Sequence, residues 1–120
     1  MNAITEIIED LSKITGVKGC AVVTSDGIMV ASELAERFPE DVVAGLTSFL
    51  ISTTRRSLAE GGLGRFRRFV MNCTHGKVVL CDAGDACLVA LTDQFARIED
   101  CLPAIEAASE RLRDVVKIQL

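Results

Sequence analysis

Two apolar runs in the second half of the sequence place the tightest constraint on the fold. Val78–Cys81 and Cys87–Leu91 are hydrophobic throughout, and Ala83-Gly84-Asp85 between them has the composition of a turn. Strands without alternation of polar and apolar residues are typical of a sheet that is covered on both faces. The 120 residues are enough for one domain and too few for two. We therefore expect one domain over residues 1–120, with an α+β fold in which helices sandwich the sheet.

Three segments have the periodicity of the covering helices. Apolar residues recur at helical spacing over 3–15 and over 39–60. A third helix is predicted after Asp93, which is placed to cap it, and Phe95 is its first apolar residue. Pro103 should kink or restart this helix, because proline lacks the backbone N–H that continues the hydrogen-bonding pattern.

The strands lie between these helices and are joined by short turns. Asp26-Gly27 supplies a turn of the kind that closes a tight hairpin, and His75-Gly76 is placed to close a second one. The predicted strands are 17–24, 28–32, 65–73, 77–82 and 86–91. The resulting order is α-β-β-α-β-β-β-α, with five strands.

The helix over 39–60 carries two stripes, and the second of them suggests self-association. We expect its apolar stripe to cover the sheet; this stripe consists of Val42, Val43, Leu46, Phe49, Leu50 and Thr53. Small residues at the same spacing, Gly45, Ser48 and Ser52, would let a second helix approach closely. An ordinary polar face is the alternative interpretation. If the strand from Arg65 is an edge, its unpaired backbone groups would favour the same edge of another copy, which predicts a two-fold dimer.

Charge and composition exclude several classes of function. The formal net charge is −4 and the sequence pI is about 5.0, so bulk attraction to nucleic acid or to an anionic membrane is not expected. The longest apolar runs are far below the ~20 residues that a membrane-spanning helix needs. Residues 1–10 contain three acids and no base, opposite to the start of a secretory signal, and so a cytoplasmic location is expected.

The five cysteines are interpreted as reduced, small, buried hydrophobic residues. No two of them have the Cys-x-x-Cys spacing of zinc sites and redox motifs, and their number is odd. Cys81 and Cys87 could face each other across a hairpin, which makes them the one candidate disulfide. We expect no metal site.

The candidate catalytic residues do not form a constellation. His75 is the only histidine, and no carboxylate or nucleophile adjoins it in the sequence. Asp26, Asp82 and Asp85 fall in turns, where short acidic side chains cap backbone amides, although paired catalytic carboxylates are the alternative. The glycine-rich segment 61–64 follows a helix, whereas a phosphate-binding loop precedes one. We expect no catalytic residue and no cofactor.

A cluster of basic residues stands out against the acidic total. Five of the thirteen bases lie within 55–68, at Arg55, Arg56, Arg65, Arg67 and Arg68. They are interpreted either as compensation of the helix dipole and solvation of an exposed strand, or as a docking patch for an acidic surface.

Several segments together make the chain resemble the roadblock/dynein light-chain family over nearly its whole length. They are Gly16-Val17-Lys18-Gly19, Ser25-Asp26-Gly27 with the following 28–32, His75-Gly76-Lys77, and the run from Gly84 to Leu91. Within the family the resemblance is to the bacterial mutual gliding-motility B type. It implies a five-stranded antiparallel sheet with the first and last helices on one face and the middle helix on the other. The arginines of the third strand and Pro103 depart from the family pattern.

The resemblance also implies a function. Family members are homodimers in which third strands pair and middle helices lie side by side; they are scaffolds or regulators of a Ras-like small GTPase and have no catalytic residues. The bacterial type stimulates GTP hydrolysis without inserting an arginine. We expect a dimer interface at Gly45, Ser48, Ser52, Phe66, Arg68 and Val70, and partner docking at Arg37, Asp41, Arg55 and Arg56. A structural adaptor without effect on GTP turnover and a small-ligand sensor are the alternatives.

Overall fold

The computed structural model describes residues 2–119 and has the predicted order of elements. The elements are α1 (Ala3–Ser12), β1 (Val17–Thr24), β2 (Met29–Glu33), α2 (Glu40–Glu60), β3 (Arg68–Cys73), β4 (Gly76–Asp82), β5 (Ala86–Asp93) and α3 (Ile98–Gln119). The predicted α+β class is confirmed.

The strands form one antiparallel sheet in the order β2-β1-β5-β4-β3. β5 lies at its centre and is buried from Ala86 to Thr92, as its continuous hydrophobic sequence predicted. The β1–β2 hairpin turns at Gly27, whose φ of 92° lies in the region that glycine adopts without strain. β2 and β3 are the two edges of the sheet.

Helices cover both faces of this sheet and create two hydrophobic cores. On one face α1 and α3 pack on the strands through residues such as Ile8, Ile105 and Leu112. On the other face α2 packs through Ile51 on Leu80 and its neighbours. The layer arrangement implied by the family resemblance is therefore confirmed.

Only part of the apolar stripe predicted for α2 meets the sheet, through the partly buried Val43 and Leu50. The fully buried residues of α2 are Ala44, Thr47 and Ile51. Much of the apolar stripe expected in the core faces outward instead. Its exposed large side chains are Val42 (59%), Leu46 (50%) and Phe49 (59%).

The last helix also differs from the prediction. Asp93 does not cap it; its carboxylate accepts a hydrogen bond from the Phe95 N–H (2.8 Å) and closes a turn before the helix begins at Ile98. Phe95 is consequently 84% exposed and lies outside the core. α3 runs without interruption through Pro103, which lacks the N–H that would have donated one intrahelical hydrogen bond.

Two further elements, α1 and β3, are shorter than predicted. α1 ends at Ser12 because the chain turns sharply before Gly16, whose φ is 94°. β3 begins at Arg68, since the extended segment before it makes a single backbone contact with β4, from the Asp82 N–H to the Arg67 carbonyl (3.0 Å).

The candidate disulfide is excluded by the register of the sheet. Cys87 lies opposite Asp82, and Cys81 lies opposite Leu88. The thiol of Cys81 therefore belongs to the core under α1 and α3, whereas that of Cys87 belongs to the core under α2. A bond between them would have to pass through the sheet.

Candidate interaction surface

The outward face of α2 is the most distinctive surface of the described residues. Val42, Leu46 and Phe49 follow one another at helical spacing, and each exposes at least half of its accessible area. Gly45 lies among them, and an added Cβ at this position would meet no atom within 4 Å. The centre of the face is therefore open to close approach by another surface.

The structure divides the predicted stripe of small residues. Gly45 and Ser52 are exposed on the outward face of α2. Ser48 is half-buried and turns towards the β1–β2 hairpin, where its hydroxyl donates to the carbonyl of Ser25 (3.3 Å). Ser48 thus contacts its own sheet within the protomer, and its position in a dimer interface stays a prediction.

β3 is an edge strand that pairs only with β4 among the described strands. Val70 is exposed on it, and Arg68 forms an ion pair with Glu106 of α3. Phe66 precedes the strand and is buried in the core under α2, and its contact with a second copy stays a prediction.

The four predicted docking residues lie at the two ends of α2. Arg37 stacks on the ring of Phe38, 5.1 Å from its centroid, and Asp41 is exposed in the first turn. At the other end Arg56 is exposed. Arg55, by contrast, makes an ion pair and hydrogen bonds within its own protomer.

Arg55 ties three segments of the chain together. Its Nη2 atom lies 2.6 Å from the carboxylate of Asp82, and its Nη1 donates to the hydroxyl of Ser25 (3.0 Å). Arg113 of α3 reaches the same aspartate from the other side, with Nη2 3.8 Å from Oδ2. Asp82 is therefore a structural partner of two guanidinium groups.

The other candidate catalytic groups also have local structural surroundings. The carboxylate of Asp26 accepts a hydrogen bond from the hydroxyl of Thr24 (2.6 Å). Asp85 and His75 are exposed, and the His75 carbonyl accepts from Lys18 Nζ (2.9 Å).

The glycine-rich segment begins where α2 ends, at Gly61. Gly62 and Gly64 have φ of 69° and 87°, so the segment reverses and leads into the approach to β3. Among residues 2–119 no group of three His, Cys, Asp or Glu side chains is arranged to hold a metal ion. None of the helices over this range is long and apolar enough to cross a membrane.

The thiols are mostly buried, and burial controls their ionisation. It raises the pKa of Cys20 to about 12, with a further contribution from the charge of Glu33. It likewise raises the pKa of Cys87 to about 12. These thiols stay protonated near neutral pH and are poor nucleophiles. Cys73, at the end of β3, is the exposed cysteine.

Sequence reasoning missed the outward apolar face of α2 because it assigned Val42, Leu46 and Phe49 to the stripe that covers the sheet. One signal was present in the sequence. Ala44, Thr47 and Ile51 recur at helical spacing and form a second face that can pack on a sheet.

Comparison with known proteins identifies relatives over most of the chain. The family model of the Roadblock/LC7 domain matches residues 3–92. An uncharacterized protein of Methanocaldococcus jannaschii is 32% identical over 114 residues, which make up 95% of this chain and 96% of that relative.

The fold is similar to that of solved MglB structures. Myxococcus xanthus MglB superposes with a TM-score of 0.91 at 17% identity, over 98% of this chain and 97% of that one. A structure of MglB with a tetrameric arrangement has a TM-score of 0.86 at 22% identity, over 100% and 95% of the two chains. At these identities the likeness concerns the fold.

Proposed function

This chain belongs to the Roadblock/LC7 domain family, and from that premise we propose that it is a non-catalytic homodimer that binds a Ras-like small GTPase and modulates its GTP hydrolysis. Several of the candidate catalytic side chains have structural contacts, among them Asp82 with Arg55 and Asp26 with Thr24, which suits a protein that acts by binding. A regulator of this kind needs a surface that another molecule recognises.

The outward face of α2 is the observation that carries the proposal. Val42, Leu46 and Phe49 form an apolar surface along one helix, and folded monomers rarely leave large contiguous patches of this kind in water. In a two-fold dimer the same face of a second copy would cover it, with Gly45 allowing the two helices to approach closely. The tetrameric arrangement of MglB supports self-association as a property of this fold.

The β3 edge would extend the same dimer. Its unpaired backbone groups can hydrogen-bond to the β3 edge of the second copy and continue the sheet across the two-fold axis. Val70 would be covered there. Arg68 already has Glu106 as a partner within its own protomer, so its charge does not oppose the pairing.

The paired α2 helices would then form the platform for the GTPase. Arg37 and Asp41 at one end of α2, and Arg56 at the other, provide exposed charges that can orient the partner. Stimulation would come from ordering the GTPase's own switch residues, because the proposed mechanism inserts no arginine into the nucleotide site.

The test is GTP turnover by the cognate GTPase with and without this protein, together with complex formation on a size-exclusion column. We expect faster turnover and a complex that prefers one nucleotide state. Arg56→Glu should weaken the complex, whereas Arg97→Glu, an exposed arginine remote from α2 in the sequence, should not. Equal binding of the GTP and GDP states with unchanged turnover would indicate a structural adaptor. Absence of any complex would reject the proposal.

A further inference from the structure

A cleft lies at the end of the sheet opposite the β3–β4 hairpin, between the end of α2 and the β4–β5 turn. Its volume is about 460 Å³, within the range of small-molecule sites. Three guanidinium groups line it, those of Arg55, Arg65 and Arg113. We refer to it as the arginine cleft.

We propose that the arginine cleft binds a phosphoryl group of a small molecule, a site that lies outside the proposed dimer and GTPase surfaces. The lining contains three arginines against two carboxylates, Asp82 and Asp85, and so has an excess of one positive charge. The whole chain has a net charge of −4. An anion that approaches the protein is therefore attracted to this cleft more than to the average surface.

Two of the three guanidinium groups are held in place before any ligand arrives. Asp82 lies 2.6 Å from Arg55 Nη2 and 3.8 Å from Arg113 Nη2. The Asp82 carbonyl also accepts from Arg113 (2.6 Å). Preorganised donors lose less conformational entropy on binding than free side chains do.

Donors remain available for a ligand after these contacts are counted. Arg65 makes no ion pair within residues 2–119, so all five of its N–H groups can be donated. Arg113 uses only Nη2 in its contacts with Asp82. The two oxygens of a carboxylate can be paired by the two parallel N–H donors of one guanidinium group. The terminal oxygens of a phosphoryl group, by contrast, accept hydrogen bonds from several guanidinium groups at once. The number of free donors therefore favours phosphate over carboxylate.

The remaining walls leave space for the group and for an organic body. Gly64 and Gly84 line the cleft on two sides, and an added Cβ at either would meet no atom within 4 Å. Phe66 and Ala59 provide apolar lining. Both an inorganic anion and a phosphomonoester would be accommodated.

Isothermal titration calorimetry on the full chain, at fixed ionic strength, tests the proposal. The probes are inorganic phosphate, pyrophosphate and ribose 5-phosphate, with glutarate as a dicarboxylate control. We expect saturable binding with one site per chain for at least one phosphoryl probe and weaker binding of glutarate. Tighter binding of ribose 5-phosphate than of phosphate would identify a ligand with an organic body, and the reverse order would identify the free anion.

Three variants locate the site. Arg65→Gln removes an exposed, unpaired charge and should weaken binding about tenfold, as expected for a lost charged hydrogen bond. Ala59→Glu places a carboxylate at the cleft without removing an arginine and should abolish binding. Arg56→Gln, the matched control outside the lining, should leave the affinity within about twofold.

The proposal is overturned by any of three results: no saturable binding of the phosphoryl probes, glutarate binding as tightly as they do, or an equal loss in Arg56→Gln and Arg65→Gln. The assay contains no GTPase. Its failure would therefore leave the proposed function untouched, and failure of the GTPase experiment would leave this site untouched.

Discussion

Replacement of Phe49 by serine should convert the proposed dimer into a folded monomer. Phe49 is 59% exposed in the single chain. With an accessible area of about 200 Å² for a phenylalanine side chain, about 120 Å² would be removed from water by the second copy. At about 25 cal/mol per Å² this contributes about 3 kcal/mol per protomer, and about 6 kcal/mol for the two copies. That upper value corresponds to an increase of about 10⁴-fold in the dimer dissociation constant.

The assay is multi-angle light scattering on a size-exclusion column. The parent protein should give about 26 kDa, twice the 12.9 kDa of one chain, and Phe49→Ser should give a single chain's mass with an unchanged circular dichroism spectrum. Phe95→Ser is the matched control, since this residue is 84% exposed but lies on the loop before α3, outside the proposed interface. The reasoning is refuted if the parent is monomeric at high concentration, or if Phe49→Ser still forms the dimer.

Three predictions concern the fold itself. Gly76→Ala should lower the free energy of unfolding by more than about 2 kcal/mol in urea titrations, because the new Cβ would lie 2.2 Å from the Thr92 carbonyl oxygen. The control is Gly45→Ala, which has open space around the new Cβ and should not destabilise the protomer. A thiol reagent should modify the exposed Cys73 rapidly and the buried thiols only on unfolding, and rapid modification of Cys20 would contradict the packing of β1. Above pH 9 the unfolded chain releases the protons of Cys20 and Cys87 while the folded chain keeps them up to about pH 12, so each thiol should lower stability by about 1.4 kcal/mol per pH unit in that window. Cys87→Ala should reduce the slope of the unfolding free energy against pH by the contribution of one thiol. An unchanged slope would show that the raised pKa of Cys87 is not its cause.

The sequence allowed the order of elements to be predicted because that order depends on local patterns. The uninterrupted hydrophobic run at 87–91 indicated a central strand, and Asp26-Gly27 indicated a hairpin. Contacts between segments that are distant in the sequence could not be predicted from such patterns. Arg55 finds Asp82 only when α2 lies across the sheet, and a pattern along either segment alone does not reveal this pair.

The orientation of α2 was predicted only in part, for a related physical reason. Hydrophobic periodicity shows that a helix has an apolar face, but α2 has two such faces, and periodicity does not tell which of them meets the sheet. The large residues Leu46 and Phe49 gave the stronger signal and were assigned to the core. The fully buried residues on the sheet side are Ala44, Thr47 and Ile51 instead, with Val43 and Leu50 partly buried beside them.

The exposed apolar residues beside Gly45 give a reason for this glycine that contacts within the single chain do not give. Glycine inside a helix is about 1 kcal/mol less favourable than alanine. The space beside Gly45 is empty within the protomer, so no intramolecular contact requires the absence of a side chain there. Leu46 and Phe49, beside it on the same helix, expose apolar surface to the same side. The glycine inside the helix and the exposure of Leu46 and Phe49 are explained together if a second helix crosses α2 at Gly45. The missing side chain permits close approach, and the neighbouring apolar groups are then removed from water.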